Sequence, residues 1–149
     1  MNIEELTRDA CLAFLARSHF GRIACSKDSQ PYITPFYFTY HDHKIHSFAT
    51  VGQKIEWLRV NPLACVEVDE IKNSQHWTSV IVLGTFEEIL ETADRQPIRE
   101  QIYELLQQRP LWWESGYAKT ILHGTLKPLT PVYFRIAIQE ITGRRATQD

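Results

Sequence analysis

Apolar residues recur at every second position over much of this chain, which is the period of β-strands. The alternation is clearest over residues 132–139, where Val132, Phe134 and Ile136 face one way and Tyr133 and Arg135 face the other. Further strands are predicted at 20–26, 31–40, 44–49, 63–70 and 78–90. Few helices separate these six strands, which favours antiparallel pairing over a doubly wound parallel sheet. The predicted fold class is mainly β with flanking helices (α+β), built around a small β-barrel.

A helical period predicts three helices around these strands. The first is predicted over residues 3–17, with Thr7 or Asp9 serving its early turn. The second is a short helix that ends at Asn61-Pro62, and the third spans about 93–108. Pro97 belongs in a first turn, so the third helix should begin nearer 95. No linker or repeat divides the sequence, and residues 1–149 are therefore predicted to form one domain.

Two residues are expected to disturb the regular pairing of the predicted strands. Pro35 lies in the middle of 31–40 and cannot donate to a ladder, so it marks an edge, a bulge or a break in the sheet. A break there would leave neighbouring backbone groups free to face a ligand. Gly84 lies within 78–90 and allows a bulge or a close backbone approach.

Residues 44–62, KIHSFATVGQKIEWLRVNP, carry the strongest chemical signal. The predicted strand is followed by a polar turn, and a helix begins near Lys54. Free N–H groups and the positive end of the helix dipole suit a phosphate at such a place. The alternative is structural, because Ser47 and Thr50 could simply form the turn and cap the helix. Lys54 could likewise be an ordinary solvated lysine.

Composition and charge exclude several classes of protein. With 44% hydrophobic residues and a net charge of −2, the chain has no bulk attraction to nucleic acid or to an anionic membrane. No apolar run approaches the ~20 residues that span a bilayer, and the first residues do not resemble a signal peptide. Three widely spaced cysteines in apolar segments indicate core thiols in a reducing cytoplasm. His41, His43 and His46 point to different faces, so no metal site is predicted.

The order of these segments resembles the pyridoxamine 5′-phosphate oxidase-like FMN-binding split barrels, especially their short branch of flavin-nucleotide-binding proteins. The segments that carry the resemblance are FGRIACS, PYITPFYF, HSFATVGQK, LRVNPLACVEVDE, WTSVIVLGTFEE and VYFRIAIQEITGR. They cover nearly the whole chain apart from about 92–130. The resemblance implies a six-stranded antiparallel split β-barrel that forms a homodimer with two FMN sites at the subunit interface.

The resemblance also implies a set of cofactor-binding residues. They are Lys54, Ser47, Thr50 and Gln53 at the FMN phosphate, Pro35, Phe36 and Tyr37 along the isoalloxazine ring, and Ser79 at a polar position near the flavin. Gln53 stands where the larger oxidases carry an arginine, so one positive charge is absent. Weaker phosphate binding is the expected consequence.

The function implied is an FMN-dependent oxidoreductase, such as a reductase of flavin, a nitro compound or another small acceptor. No catalytic acid or base stands out. The chain lacks the arginine-and-histidine motif with which the true oxidases bind pyridoxal phosphate, which argues against oxidation of pyridoxamine 5′-phosphate. Two alternatives stay open: a flavin-binding or sensing module without turnover, and a haem-binding or haem-degrading split barrel with His46 or His123 as axial ligand. Specificity is expected to reside in 107–130, which includes Trp112 and Trp113.

Overall fold

The structure is a computed structural model that describes residues 1–108, 119–122, 125–128 and 131–149. It contains the helices α1 (Arg8–Arg17), α2 (Gln53–Val60) and α3 (Gln96–Gln107). Its strands are β1 (Asn2–Glu5), β2 (Phe20–Lys27), β3 (Gln30–Tyr37), β4 (Thr39–His41), β5 (Lys44–Thr50), β6 (Leu63–Asn73), β7 (His76–Ile89), β8 (Lys119–Leu122), β9 (Thr125–Pro128) and β10 (Pro131–Thr147). None of the helices in these ranges is long and apolar enough to cross a membrane.

Eight strands form one antiparallel sheet in the order β3-β2-β6-β7-β10-β5-β4, with β1 also paired to β10. β8 and β9 form a separate hairpin. The sheet curls until β3 approaches β5, where the buried Ser47 hydroxyl of β5 donates a hydrogen bond to the Tyr37 carbonyl of β3. The split barrel with flanking helices is thus confirmed, although the main sheet has eight strands rather than the six predicted.

The barrel interior is a single apolar core to which α1 and α2 contribute. Fully buried residues such as Ile23, Phe38 and Phe134 fill the barrel, and Ile55 and Leu58 of α2 join the same cluster. The helix α3 packs outside it on a second, smaller cluster. As predicted, two of the three free cysteines, at positions 11 and 25, are buried in the core.

The N-terminal helix is shorter than predicted. It begins at Arg8, and the Thr7 hydroxyl caps it by accepting a hydrogen bond from the Ala10 N–H at 3.2 Å. Residues 2–5 form β1 instead, paired with the far end of β10. The prediction of helix from residue 3 was wrong because all four residues of β1 are exposed and show no apolar alternation. Their partner strand lies at the other end of the chain, where no local pattern can indicate it.

Pro35 lies on an edge strand, as one of the predicted options required, and the ladder is not broken there. The β2–β3 register continues without a shift from Phe20 to Lys27. The Phe38 N–H bonds to a carbonyl on the β2 side, whereas the Tyr37 carbonyl bonds toward β5. Backbone groups alternate along a strand, so the missing N–H of Pro35 faces the split and the sheet loses no bond.

The predictions for Gly84 and for the start of α3 are confirmed. A Cβ at position 84 would collide with the Ala137 carbonyl oxygen and the Ile136 side chain, so the two strands can approach only because this residue is glycine. The β7–β10 register also shifts between Ile138 and Glu140. The helix α3 begins at Gln96 with Pro97 in its first turn, as predicted.

Candidate functional site

A cavity of about 430 Å³ opens where β3 and β5 separate, and we refer to it as the β3–β5 cavity. Its walls come from β2, β3 and β5, and one end is formed by the turn after β5 and the start of α2. The lining residues are Phe20, Tyr32, Thr34, Pro35, Phe36, Tyr37, Phe48, Ala49, Thr50, Gly52, Gln53 and Lys54. Six of the eight predicted cofactor residues are therefore brought together: Pro35, Phe36, Tyr37, Thr50, Gln53 and Lys54.

Lys54 carries the only charge among the described residues that line this cavity. Its side chain is partly buried, and within the described part of the chain its ammonium has no ion pair or hydrogen bond. Burial lowers the pKa of Lys54, and the neighbouring Cys25 acts in the opposite direction. An ammonium withdrawn from water without a counter-charge is unfavourable. This end of the cavity is therefore suited to an anion.

The start of α2 adds hydrogen-bond donors at the same end. Its N-cap is Gly52 in an extended conformation, and no side chain caps the helix. The first helical bond runs from the Glu56 N–H to the Gly52 carbonyl at 3.0 Å. The N–H groups of the three preceding residues consequently have no acceptor within the helix. The structural alternative in which Ser47 or Thr50 caps α2 is not what forms.

Ser47 and Ser79 lie outside the β3–β5 cavity. Ser47 is completely buried and bonds to the Tyr37 carbonyl, so it ties β5 to β3 behind the cavity wall. Ser79 lies on the outer face of β7, where its hydroxyl donates to the Glu67 carboxylate at 3.1 Å. Burial, followed by the charge of Asp69, raises the pKa of Glu67. The assignments of Ser47 and Ser79 to a cofactor remain predictions.

Four aromatic or polar lining residues were missed by the sequence analysis: Phe20, Tyr32, Thr34 and Phe48. The cavity meets β3 edge-on, so residues of both strand faces line it and alternation alone does not select them. The Oγ1 atom of Thr34 is buried and has no hydrogen-bond partner among the described residues. A buried hydroxyl without a partner is unfavourable. The Thr34 hydroxyl is thus an unsatisfied polar group within the cavity wall, and it is shielded from solvent.

His46 is the third unusual polar group of this region. It is 2% exposed, its Nε2 lies 3.2 Å from the His41 carbonyl oxygen, and its Nδ1 has no partner in the described ranges. Burial lowers its pKa to about 4, and the charge of Arg135 contributes in the same direction. His46 does not line the cavity. No three His, Cys, Asp or Glu residues of the described part are grouped to hold a metal ion.

The predictions for His123, Trp112 and Trp113 lie outside the described residues. So does most of the 107–130 segment in which specificity was expected.

Comparison with known proteins places the chain in a family. The model of the pyridoxamine 5′-phosphate oxidase family matches residues 7–145. An uncharacterized protein of Rhizobium meliloti (strain 1021) is 31% identical over 146 residues, which are 98% of this chain and 97% of that protein. A FAD-binding protein of Mesorhizobium loti has a structure with a TM-score of 0.81 at 35% identity, covering 99% and 100% of the two chains. The FAD-binding protein of Mycobacterium smegmatis shares the fold at 21% identity and a TM-score of 0.65, over 97% and 98% of the chains. The chain therefore belongs to the pyridoxamine 5′-phosphate oxidase family.

Proposed function

We propose that this protein binds FMN in the β3–β5 cavity and acts as a flavin-dependent oxidoreductase that reduces a small acceptor. The observation that carries the proposal is the partly buried Lys54 ammonium, which has no counter-ion among the described residues and lies at the uncapped start of α2. The similarity to the FAD-binding protein of Mesorhizobium loti supports a flavin as the ligand. The cytoplasm suits the three free cysteines.

The residues present fit a flavin nucleotide. Flavin sites combine an anion anchor, apolar walls and a few polar groups near the ring. The β3–β5 cavity has a cation and free N–H groups at one end, mostly aromatic walls, and the polar side chains of Thr50 and Gln53. The exposed edge of β3 adds backbone groups that face the split. A single ammonium at one end favours the one phosphate of FMN over the diphosphate of FAD.

The bound flavin would supply electron and hydride transfer, and the chain would bind, orient and shield it. Lys54 and the first N–H groups of α2 hold the phosphate in this proposal, with Thr50 and Gln53 beside them. Gln53 offers amide donors but no second charge. Pro35, Phe36 and Tyr37 form the wall along the ring. Ser47 acts indirectly, because its bond to the Tyr37 carbonyl sets the distance between β3 and β5.

The outer face of the sheet supports a homodimer. Ile33, Leu63, Ile81 and Leu83 are each at least 42% exposed on this face, which is more than isolated surface residues would explain. The register links the first and last of them through Ala24 and Cys65, so the apolar strip crosses four neighbouring strands. A second copy of the chain is the proposed partner. Ser79 lies two residues from Ile81 on the same face and would reach a flavin only from the second subunit.

The first test is the cofactor itself. Purified protein should show the two flavin absorbance bands, and denaturation should release FMN that chromatography separates from FAD. Lys54→Ala should weaken FMN binding about 100-fold, since it removes a poorly solvated charge-assisted contact. Lys27→Ala removes an exposed lysine at the end of β2 and should leave the affinity unchanged. Equal affinities of the two variants would show that the phosphate binds elsewhere.

Turnover and assembly need separate measurements. Reduction of a nitro compound by NADH or NADPH with the FMN-loaded protein would support an oxidoreductase, and a tight FMN complex without turnover would support the sensing alternative. A Soret band in place of flavin bands would favour the haem alternative. Leu83→Glu should shift the protein from dimer to monomer in sedimentation, and a monomeric wild type would contradict the interfacial site.

A further inference from the structure

A second cavity, also of about 430 Å³, lies between α1 and the end of the β6–β7 hairpin, and we name it the α1 cavity. It shares no lining residue with the β3–β5 cavity. We propose that the α1 cavity binds a small organic anion, with a phosphate or carboxylate group on an aromatic or aliphatic body. This inference stands independently of the proposed flavin site.

The charges around the α1 cavity favour an anion. Arg17 reaches it from α1, Lys72 from the hairpin and Arg145 from β10. Glu70 is the only carboxylate among the described lining residues, and it is shared between Arg17 at 3.1 Å and Lys72 at 3.9 Å. The nearest carboxylate to Arg145 is that of Glu4, at 3.7 Å and outside the lining.

Hydrogen-bonding capacity strengthens the argument from charge. Two guanidinium groups and one ammonium carry many more N–H donors than two carboxylates can accept. The Arg17–Glu70 contact is within normal hydrogen-bond distance, whereas those of Lys72 and Arg145 are longer than a hydrogen bond. Lys72 and Arg145 can therefore turn toward a phosphate or carboxylate without losing a short hydrogen bond to these carboxylates.

The shape of the α1 cavity indicates an apolar body on the ligand. Ala10, Ala13 and Phe14 of α1 line it together with Leu6, which precedes the helix, and Trp77 of β7. The two alanines leave the space that the cavity occupies. The lining thus combines apolar side chains with three cations, which matches a ligand that has an apolar body and one acidic end.

Phenyl phosphate is a suitable probe because it combines both features. Titration calorimetry should show saturable binding of phenyl phosphate, with weaker binding of inorganic phosphate and none of benzyl alcohol. Ala13→Leu adds three carbon atoms to the lining without a change in charge, narrows the cavity and should weaken binding. The double variant K72Q/R145Q should weaken binding about tenfold, as expected for two exposed charges.

The matched control is the double variant R8Q/K27Q. It also removes two positive charges, one from the opposite face of α1 and one from the end of β2, and should bind phenyl phosphate as the wild type does. Equal affinities of K72Q/R145Q and R8Q/K27Q would overturn the inference, because only bulk charge would then matter. So would unchanged binding in Ala13→Leu, or no saturation at about 10 mM probe.

The Lys54→Ala variant distinguishes binding at the α1 cavity from binding at the β3–β5 cavity. Phenyl phosphate could also enter the β3–β5 cavity, whose phosphate end depends on Lys54. Binding that persists in Lys54→Ala and is weaker in Ala13→Leu would support the α1 cavity whatever becomes of FMN. Binding that disappears only in Lys54→Ala would overturn this inference and leave the proposed flavin site intact.

Discussion

Two cavities of equal volume place their cations in opposite surroundings. In the β3–β5 cavity the single cation, Lys54, is partly buried and has no counter-charge among the described residues. In the α1 cavity Arg17, Lys72 and Arg145 are 61%, 64% and 44% exposed, and each lies within 4 Å of a carboxylate. Exposed pairs contribute little, whereas a desolvated charge is unfavourable until it is neutralised. Desolvation, rather than volume, therefore distinguishes the stronger anion site.

Buried polar residues lie directly beside the β3–β5 cavity. Thr39, His46 and Ser47 are the buried polar residues of the described chain, and two of them lie in β5, which continues into the wall of the β3–β5 cavity. None of the three lines either cavity, but His46 and Ser47 directly precede Phe48, Ala49 and Thr50 of the β3–β5 cavity lining. Substitutions around β5 should consequently change the free energy of unfolding much more than substitutions at the α1 cavity.

The largest effect is expected from His46 as the pH falls. The pKa of His46 is lowered from 6.5 to about 4 in the folded protein. Below pH 6.5 the unfolded chain therefore takes up a proton that the folded chain takes up only near pH 4, and stability is lost across this window. The loss amounts to roughly 3 kcal/mol. Arg135, His41 and Lys44 face the ring and disfavour its charged form, and Arg135 is itself paired with Glu87 at 3.0 Å.

His46→Gln isolates this contribution, because glutamine can still donate to the His41 carbonyl but does not titrate. Urea unfolding of both proteins at pH 7 and pH 4 provides the measurement, because the titration of the carboxylates that they share contributes equally to both. We expect the stability of the wild type, relative to the variant, to fall by roughly 3 kcal/mol over this range. Parallel pH profiles would show that His46 titrates normally.

Ser47→Ala should produce the next largest effect. The Ser47 hydroxyl is completely buried and provides a hydrogen bond across the split between β5 and β3. Its removal should lower the free energy of unfolding by about 2 kcal/mol, because the Tyr37 carbonyl loses a partner. FMN affinity should fall as well, since the cavity width depends on this bond. A stable variant with wild-type FMN affinity would contradict the positioning role of Ser47.

The sequence predicted those parts of the site that one short segment carries. Gly52, Gln53 and Lys54 follow one another at the start of α2, so a turn motif was sufficient to place them at one end of a cavity. The wall could not be predicted in full. Phe20 comes from β2 and Phe48 from β5, and only the closure of the barrel brings them to the same cavity.

The fold, too, was predictable only where the signal is local. The long alternating strands, the Thr7 cap of α1 and the Pro97 start of α3 were predictable because their signals are local. Residues 3–5, predicted as the start of the first helix, belong to β1, whose pairing with β10 joins Asn2 to Thr147. That pairing depends on tertiary contact between exposed residues, which no hydrophobic pattern records. The unbroken ladder at Pro35 likewise depends on which side of β3 the nitrogen faces, and this is set by the pairing with β2.

A smaller effect is expected when the Lys54 ammonium is removed from the ligand-free protein. Burial lowers the pKa of Lys54, so the charged form destabilises the fold at neutral pH. Lys54→Met keeps the length of the chain and should raise the free energy of unfolding by about 1 kcal/mol. The same variant should bind FMN poorly, so stability and binding should change in opposite directions. A destabilised variant would show that Lys54 has a partner in the folded protein.

Lys72→Met is the matched substitution at the α1 cavity and should have the smallest effect. It removes the same group from the lining of a cavity of the same volume, but the Lys72 side chain is 64% exposed and its nearest carboxylate is 3.9 Å away. The free energy of unfolding should stay within about 0.5 kcal/mol of the wild type. Urea unfolding in low and high salt provides the measurement, because a weak exposed pair should lose even this contribution in 1 M salt. A change as large as that of Lys54→Met would mean that the cations of the two cavities are equally desolvated, and the distinction between the cavities would fail.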